Sequence, residues 1–362
     1  MVNEKLQSKT SPQLLDLGEN IKAEVPKILY HYCSIDTFKE IIKNKTIRLS
    51  DIFKTNDSSE VIHVLKFLPA LLNEEYVKNP FPFKYKGIDN EKAFDLIVSD
   101  INKNINDVKF SSYIACFSKL EDDLEQWNRY GDDGKGVAIG YDGKILYDIA
   151  KKCSGVKITE VSYDEKKQKE YVRFAIVPQI FDAIKKAGDN GNVKNGFCTC
   201  DDMIQIHINS SIPAILLFAI EYKDKAYKCE NEWRLYLNTP EKTEIWYFEG
   251  IKKYSENEEQ YGDIVRKKMS FINKSNNGES SYIDLYLGEY KNASKIIKKI
   301  IIGPKFKIRK RDLNLKKMLH AINFDMGLHC VAHSEIQQSK ISCIQYLFRH
   351  QHFMCQKALS KQ

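Results

Sequence analysis

The sequence contains no long hydrophobic segment. Its longest apolar run, residues 212–220, is well short of the roughly 20 residues that a membrane-spanning helix needs. The first 24 residues are polar and mixed in charge, unlike a secretory signal peptide. We therefore expect a cytoplasmic protein with no membrane partner, in which residues 1–25 form a flexible leader.

Metal and disulfide patterns are also missing. The chain has nine cysteines, an odd number, and without an export signal we expect reduced thiols. Cys198, Cys200 and His207 supply at most three ligands, whereas a structural zinc site needs four well-spaced ones. No acidic metal cluster is visible, which argues against a phosphodiesterase or nuclease. We expect no metal.

Charge of one sign is not strongly in excess. The net charge of +7 permits a nucleotide or nucleic-acid partner without requiring one. The hydrophobic fraction of 43% is enough for a substantial core, and we find no internal repeats. We expect one domain over residues 26–348, with an exposed insertion loop at about 252–280 and a tail at 349–362.

The first patterned stretch, residues 27–51, is typical of strand, helix and strand in close succession. Ser34 is a suitable N-cap, and an apolar face follows with helical spacing. His31 and Tyr32 then lie where a strand stops, beside a helix N-terminus that attracts anions. The alternative for His31 is a structural role, capping a turn through the backbone.

A second strand–helix–strand unit covers residues 113–141. Trp127 and Tyr130 are three positions apart, so we expect both rings on one helix face, forming a wall of a slot for a flat ligand. The alternative is that Trp127 belongs to the core. The glycines of residues 131–136 do not match the dinucleotide-binding fingerprint.

The third patterned stretch is a late strand. Trp233, Leu235 and Leu237 alternate with polar or amphipathic residues, which indicates a strand with two distinct faces. Glu230 and Glu232 stand two apart at its start. We expect them to repel, so that one pKa is raised, and we favour a functional role. The alternative is a structural ion pair of Glu232 with Arg234 or Arg48.

Helices are predicted elsewhere from apolar spacing and caps. One covers residues 65–72 and is kinked at Pro69, one covers about 90–105, and one covers about 165–187. The last is expected to turn five residues inward: Tyr171, Phe174, Ile176, Ile180 and Ile184.

Three segments together resemble the bacterial domain-of-unknown-function family 2971. They are LYHYCSIDTFKEIIKNKTIRLSD, CFSKLEDDLEQWNRYGDDGKGVAIGYD and ENEWRL, followed later by IIIGP. The resemblance spans roughly residues 27–345. The function of that family is poorly established, so this likeness adds little chemistry.

The first segment is also distantly similar to ADP-ribosyltransferase-fold proteins. This resemblance implies an α+β (mixed α/β) fold with a split β-sheet core, and it implies NAD as the substrate. It gives His31 the ribose hydroxyl, Tyr130 or Tyr32 the nicotinamide ring, and Glu232 the nicotinamide ribose. Glu230 completes a Glu-x-Glu pair like that of several protein-modifying members.

The remaining binding residues follow from the same resemblance. Ser34 is expected to help position ribose, Arg48 or Arg234 to neutralise pyrophosphate, and Trp127 to line the slot. The hypothesis is an NAD-dependent ADP-ribosyltransferase or NAD glycohydrolase, acting as a toxin or phage-defence effector on a protein or nucleic-acid acceptor. The alternative is a nucleotide-sensing module without chemistry.

Overall fold

A computed structural model gives the fold for twelve stretches of the chain. The described residues are 24–54, 63–80, 84–85, 90–104, 110–152, 156–189, 193–194, 197–198, 211–240, 282–287, 296–306 and 335–338. The expected insertion loop at 252–280 and the expected tail at 349–362 lie outside these residues.

The described strands form one large and one small sheet, confirming the mixed α+β class. The strands of the large sheet are Ile28–Cys33 (β1), Thr46–Asp51 (β2), Phe110–Ser118 (β4), Val137–Asp142 (β5), Val156–Glu160 (β6), Glu232–Pro240 (β9), Tyr282–Tyr286 (β10), Ile297–Ile302 (β11) and Glu335–Gln338 (β12). The small sheet contains Lys84–Tyr85 (β3), Val193–Lys194 (β7) and Phe197–Cys198 (β8).

The large sheet is built around β4 and β9, which pair along their full length from Phe110↔Pro240 to Ser118↔Glu232. The main path runs β10-β2-β4-β1-β5-β11-β12, and β9 joins β4 to β6. In the large sheet, the described strand pairings are antiparallel except that of β11 with β12, which is parallel.

The sheet splits on one edge of β4. Ser50 and Asp51 of β2 pair near its middle, opposite Ile114 and Tyr113, whereas β1 pairs at its end, Tyr30 with Ser118. Since β9 occupies the other edge throughout, β1 and β2 diverge from the same edge. In the described chain, the three β4 residues between these contacts have no strand partner on that edge.

The described helices are Ile35–Asn44 (α1), Leu68–Lys78 (α2), Asn90–Asn104 (α3), Leu124–Arg129 (α4), Gly143–Lys152 (α5), Glu165–Tyr171 (α6), Val177–Asp189 (α7) and Ile212–Glu221 (α8). A π-helical turn, Val172–Ile176, joins α6 to α7, and 3-10 turns cover Ile52–Lys54, His63–Lys66 and Lys225–Glu230. None of these helices is long and apolar enough to cross a lipid bilayer.

Two large hydrophobic clusters share the central strands. One packs α2, α3, α7 and α8 together and includes Ile114 of β4 and Tyr236 of β9. The other packs α1 and α5 with the sheet and includes Ala115 and Leu235. Because neighbouring residues of β4 and β9 point into different clusters, the expected two-faced strand is confirmed, although both faces are buried.

Two local predictions were wrong. Pro69 lies in the first turn of α2, where no intrahelical donor is lost, so it does not kink a helix interior. Phe174 is 65% exposed rather than inward-facing. It sits in the π-helical turn, and the extra residue of such a turn shifts the helical face that a 3.6-residue period predicts.

Candidate functional site

Both carboxylates of the Glu-x-Glu pair are buried at the start of β9. Glu230 is 2% exposed and Glu232 is 5% exposed. Glu230 ends a 3-10 turn, and Asn231 follows with φ 45°, which turns the chain sharply into the strand. The site therefore lies at a strand tip fixed by a left-handed residue, a conformation that asparagine tolerates better than most residues.

Glu232 is enclosed by positive charge. The Arg234 guanidinium donates from Nε to Oε1 at 2.7 Å and from a terminal nitrogen to Oε2 at 3.1 Å. Lys223 Nζ donates to Oε2 at 3.3 Å. Burial opposes ionisation, but attraction to Arg234 and Lys223 outweighs it and lowers the pKa of Glu232. Glu232 is therefore not the member of the pair in which repulsion raises the pKa.

Glu230 has a different set of partners. Lys223 Nζ donates to its Oε2 at 2.6 Å, and Arg129 donates to Oε1 at 3.1 Å. The Tyr130 hydroxyl also donates to Oε1, at 2.9 Å. Burial and the nearby Glu230 charge raise the pKa of Tyr130, so its hydroxyl stays a neutral donor.

Arg234 has a structural connection beyond the carboxylate. It is 1% exposed, and one terminal nitrogen donates to the carbonyls of Ala219 at 2.7 Å and Ile220 at 3.3 Å. These carbonyls lie in the last turn of α8, where a cation is favoured by the helix dipole. The structural ion pair considered for Glu232 is thus present, with Arg234 as its partner.

Arg48 lies elsewhere in the sheet. Its guanidinium binds Asp284 of β10 through two bonds of 2.8 and 2.9 Å and stacks over the Tyr282 ring at 3.5 Å. This bidentate pair holds β2 to β10, a strand pair separated from β9 by β4. Arg48 is therefore not brought together with Glu230 and Glu232.

His31 lies at the split in the sheet. Its Nδ1 is 3.0 Å from the carbonyl oxygen of Cys116, one of the β4 residues between the β1 and β2 contacts. A carbonyl can only accept, so Nδ1 carries the proton. Burial lowers the pKa of His31, and the bond to Cys116 only partly offsets this. The imidazole is accordingly neutral at pH 7.

Cys116 connects the imidazole to the carboxylate. Its carbonyl binds His31, while its exposed thiol forms a side-chain hydrogen bond with Glu232. The two groups that sequence analysis singled out from distant segments therefore reach the same residue of β4. His31 and Glu232 are 201 positions apart in the sequence, and the pairing of β1 and of β9 with β4 brings both to this residue.

The other predicted site residues have structural partners. Tyr32 is 6% exposed and donates to the Leu120 carbonyl at 2.8 Å. Trp127 is fully buried, packs edge-on against Tyr32 and donates to Asp122 at 2.7 Å. Ser34 caps α1 by accepting from Thr37 N. Each of these three side chains therefore has a structural contact of its own.

Tyr130 and Trp127 do not form a common wall. Tyr130 is the C-cap of α4 and is 39% exposed, whereas Trp127 is in the core. Because α4 ends at Arg129, helical spacing no longer applies at Tyr130, and the two rings do not form the predicted wall of a slot. Tyr130 instead reaches the carboxylate pair.

Sequence analysis missed Lys223, Arg129 and Cys116. Lys223 and Arg129 carried no pattern that separates them from other basic residues. Cys116 was included only as part of an apolar strand. In the described ranges, no group of three or more histidine, cysteine or acidic residues could hold a metal ion.

The fold and this site define a mixed α+β protein with a buried carboxylate pair at a strand tip. Residues 126–235 match the model of a family described as "Protein of unknown function (DUF2971)". The match begins in α4, ends in β9, and includes both carboxylates but not His31. No curated protein and no solved structure matches the chain. The likeness expected over residues 27–345 is thus shown for this central segment.

Proposed function

We propose that this protein binds NAD at the split in the sheet and cleaves its nicotinamide–ribose bond, passing ADP-ribose to an acceptor or to water. One observation carries the proposal: the His31 imidazole and the Glu232 carboxylate both contact Cys116. A base with a fixed tautomer and a permanent anion, each in contact with the same residue of β4, suit the chemistry of a sugar.

His31 is suited to hold a ribose hydroxyl. With the proton on Nδ1 and the ring neutral, Nε2 is a hydrogen-bond acceptor. His31 is only partly buried, so this nitrogen can reach a ligand. A ribose hydroxyl that donates to Nε2 would be fixed in orientation, and positioning supplies much of the rate in such reactions.

Glu232 is suited to stabilise the reacting sugar. Cleavage of an N-glycosidic bond develops positive charge on the ribose, as in glycoside hydrolysis. A lowered pKa keeps Glu232 ionised over the physiological range, so it acts as a fixed negative charge rather than a proton donor. Glu230 would orient or deprotonate the acceptor.

The resemblance to ADP-ribosyltransferase-fold proteins supports this assignment. It implies a split sheet with the histidine on the first strand and the glutamate at the start of a late one, and β1 and β9 carry these residues here. The proposed setting is the bacterial cytoplasm, with a role as a toxin or phage-defence effector. The acceptor is a protein or a nucleic acid.

A specific observation favours a second function, nucleotide sensing without chemistry. Glu230 and Glu232 are in contact with three cations, Lys223, Arg129 and Arg234, so the cluster carries one net positive charge. Such a cluster favours an anionic ligand such as a pyrophosphate and weakens stabilisation of a sugar cation. The protein would then report nucleotide occupancy to a defence or signalling partner.

The variant Glu232→Gln separates the two functions. Under the enzymatic proposal it binds NAD, measured by calorimetry, but releases nicotinamide at least about 100-fold more slowly, as for loss of one electrostatic stabiliser. Asp284→Asn is the matched control, because it neutralises another buried carboxylate, which pairs with the half-exposed Arg48 outside the site. It should leave nicotinamide release unchanged.

Three results would count against these proposals. If the wild-type protein binds NAD but never releases nicotinamide, with or without protein and nucleic-acid acceptors, the sensing function replaces the enzymatic one. If it does not bind NAD, the enzymatic function fails, and the sensing function fails as well if the protein also binds no other nucleotide. If Asp284→Asn slows release as much as Glu232→Gln, the effect comes from stability and not from the site.

A further inference from the structure

Lys223 is the cation shared by the two carboxylates. Its Nζ is 2.6 Å from Glu230 and 3.3 Å from Glu232. We propose that Lys223 is a positioning residue that holds Glu230 and Glu232 together in their ionised forms. Its catalytic consequence rests on the proposed function above, whereas its effect on the two charges does not.

Lys223 is held in place through both its backbone and its side chain. Lys223 is 4% exposed, its backbone N–H donates to Ser162 at 3.1 Å, and its carbonyl accepts from Gln168 Nε2 at 2.8 Å. The ammonium also lies 4.8 Å from the centre of the Tyr227 ring. A lysine held in this way loses little further side-chain freedom when it binds both carboxylates.

Each of the two arginines contacts one carboxylate, whereas Lys223 contacts both. In the described residues, Arg234 binds Glu232 and Arg129 binds Glu230, while Lys223 contacts both. Two buried carboxylates this close cannot both ionise without compensating charge. The charged or titratable groups in contact with the pair are Lys223, Arg129, Arg234, Tyr130, Tyr163 and Cys116, with Tyr227 behind the ammonium.

Loss of the Lys223 charge would therefore prevent Glu230 and Glu232 from both staying ionised. One of the carboxylates would hold a proton at a higher pH than in the wild-type protein. A protonated Glu232 offers no negative charge to a developing sugar cation, and a protonated Glu230 accepts no proton from an acceptor hydroxyl. Activity would then be lost on the acidic side of its pH profile.

The test measures the carboxyl groups directly in protein without nucleotide. Glutamate side chains are labelled with ¹³C and titrated by NMR, with Glu230→Gln and Glu232→Gln used for assignment. In Lys223→Met the pKa of one of the two carboxyls should rise by about 1–3. Lys223→Arg keeps the charge and should leave both titrations in place. Lys299→Met, which removes a partly buried lysine paired with Glu121, is the matched control.

An unchanged titration in Lys223→Met would overturn the proposal. If that variant does not fold, Lys223→Met/Glu230→Gln decides, because removing one negative charge should restore folding when charge compensation is the role of Lys223. Failure of this rescue would also overturn it. If the wild-type protein releases nicotinamide, the acid limb of its pH profile should move up in Lys223→Met. If it releases none, the proposed function fails while the titration still decides the role of Lys223.

Discussion

A buried and a partly buried glutamate of this protein respond to burial in opposite ways. Glu232 is surrounded by Arg234 and Lys223, so its pKa falls. Glu221 ends α8, and burial raises its pKa to about 7, because attraction to Lys157 is too weak to compensate. The negative end of the helix dipole adds to this disadvantage for a carboxylate. Local partners, rather than burial alone, decide the charge.

Glu221 should make stability depend on pH near neutrality. Its folded pKa lies above the unfolded value of 4.5, so its contribution is complete below pH 4.5 and is lost as pH rises through about 7. Glu221→Gln should therefore be more stable than wild type at pH 8 by about 1–3 kcal/mol. Urea unfolding should show the two proteins converging near pH 4. The exposed Glu170→Gln controls for the lost charge, and an equal difference at both pH values would contradict the mechanism.

For single residues, the sequence predicts which side chains have a suitable chemical type better than it predicts which side chains they contact. The two carboxylates and His31 were identifiable because a strand tip and a helix start are visible in local patterns. Lys223 was not, because a lysine among 56 basic residues carries no mark of burial. The partner of Glu232 was left open between Arg234 and Arg48, and only the sheet order separates them.

Among the elements, β5 has two glycines with close neighbours: Gly136 directly precedes the strand and Gly140 lies within it. A Cβ on Gly136 would lie 2.1 Å from the Cys33 carbonyl oxygen, which is backbone and cannot move aside. A Cβ on Gly140 would lie 3.0–3.1 Å from side-chain atoms of Ile28, Lys299 and Tyr30. The first contact is forbidden, and the second requires shifts of a few tenths of an ångström.

These contacts predict different outcomes for the same change at the two glycines. Gly136→Ala should lower the free energy of unfolding by at least about 3 kcal/mol, since β1 and β5 must separate locally. Gly140→Ala should cost about 1 kcal/mol, as a modest overpacking. Chemical unfolding of both variants checks the order. If Gly140→Ala lowers the free energy of unfolding more than Gly136→Ala does, the close approach of Gly136 to Cys33 is not the main steric restriction here.

Individual elements were largely predictable, and their pairing was not. The helix at 165–187 was found from its apolar spacing, although the π-helical turn within it turns Phe174 outward. The elements α1 and β2 were found from a cap and an apolar face. The split in the sheet depends on pairs such as Tyr30 with Ser118, which are far apart in sequence. Such pairs leave no periodic signal, so the separate contacts of His31 and of Glu232 with Cys116 required the structure.

For the molecule as a whole, β4 and β9 join the two hydrophobic clusters. Ile114 and Tyr236 belong to the helical cluster, and their neighbours Tyr113 and Leu235 belong to the cluster on the other face. Neither cluster can unfold without exposing one face of these strands to water. The described core is thus expected to unfold as one cooperative unit.

One substitution in each cluster tests this expectation. Leu235→Ala removes a fully buried side chain from the cluster under α1 and α5, and Phe218→Ala removes one from the helical cluster. Each should lower stability by about 2–5 kcal/mol through the cavity it leaves. If β4 and β9 couple the clusters, near- and far-ultraviolet circular dichroism should report one shared transition in both variants. A second transition in either variant would show that the clusters unfold separately, and the site at the start of β9 would then depend on only one of them.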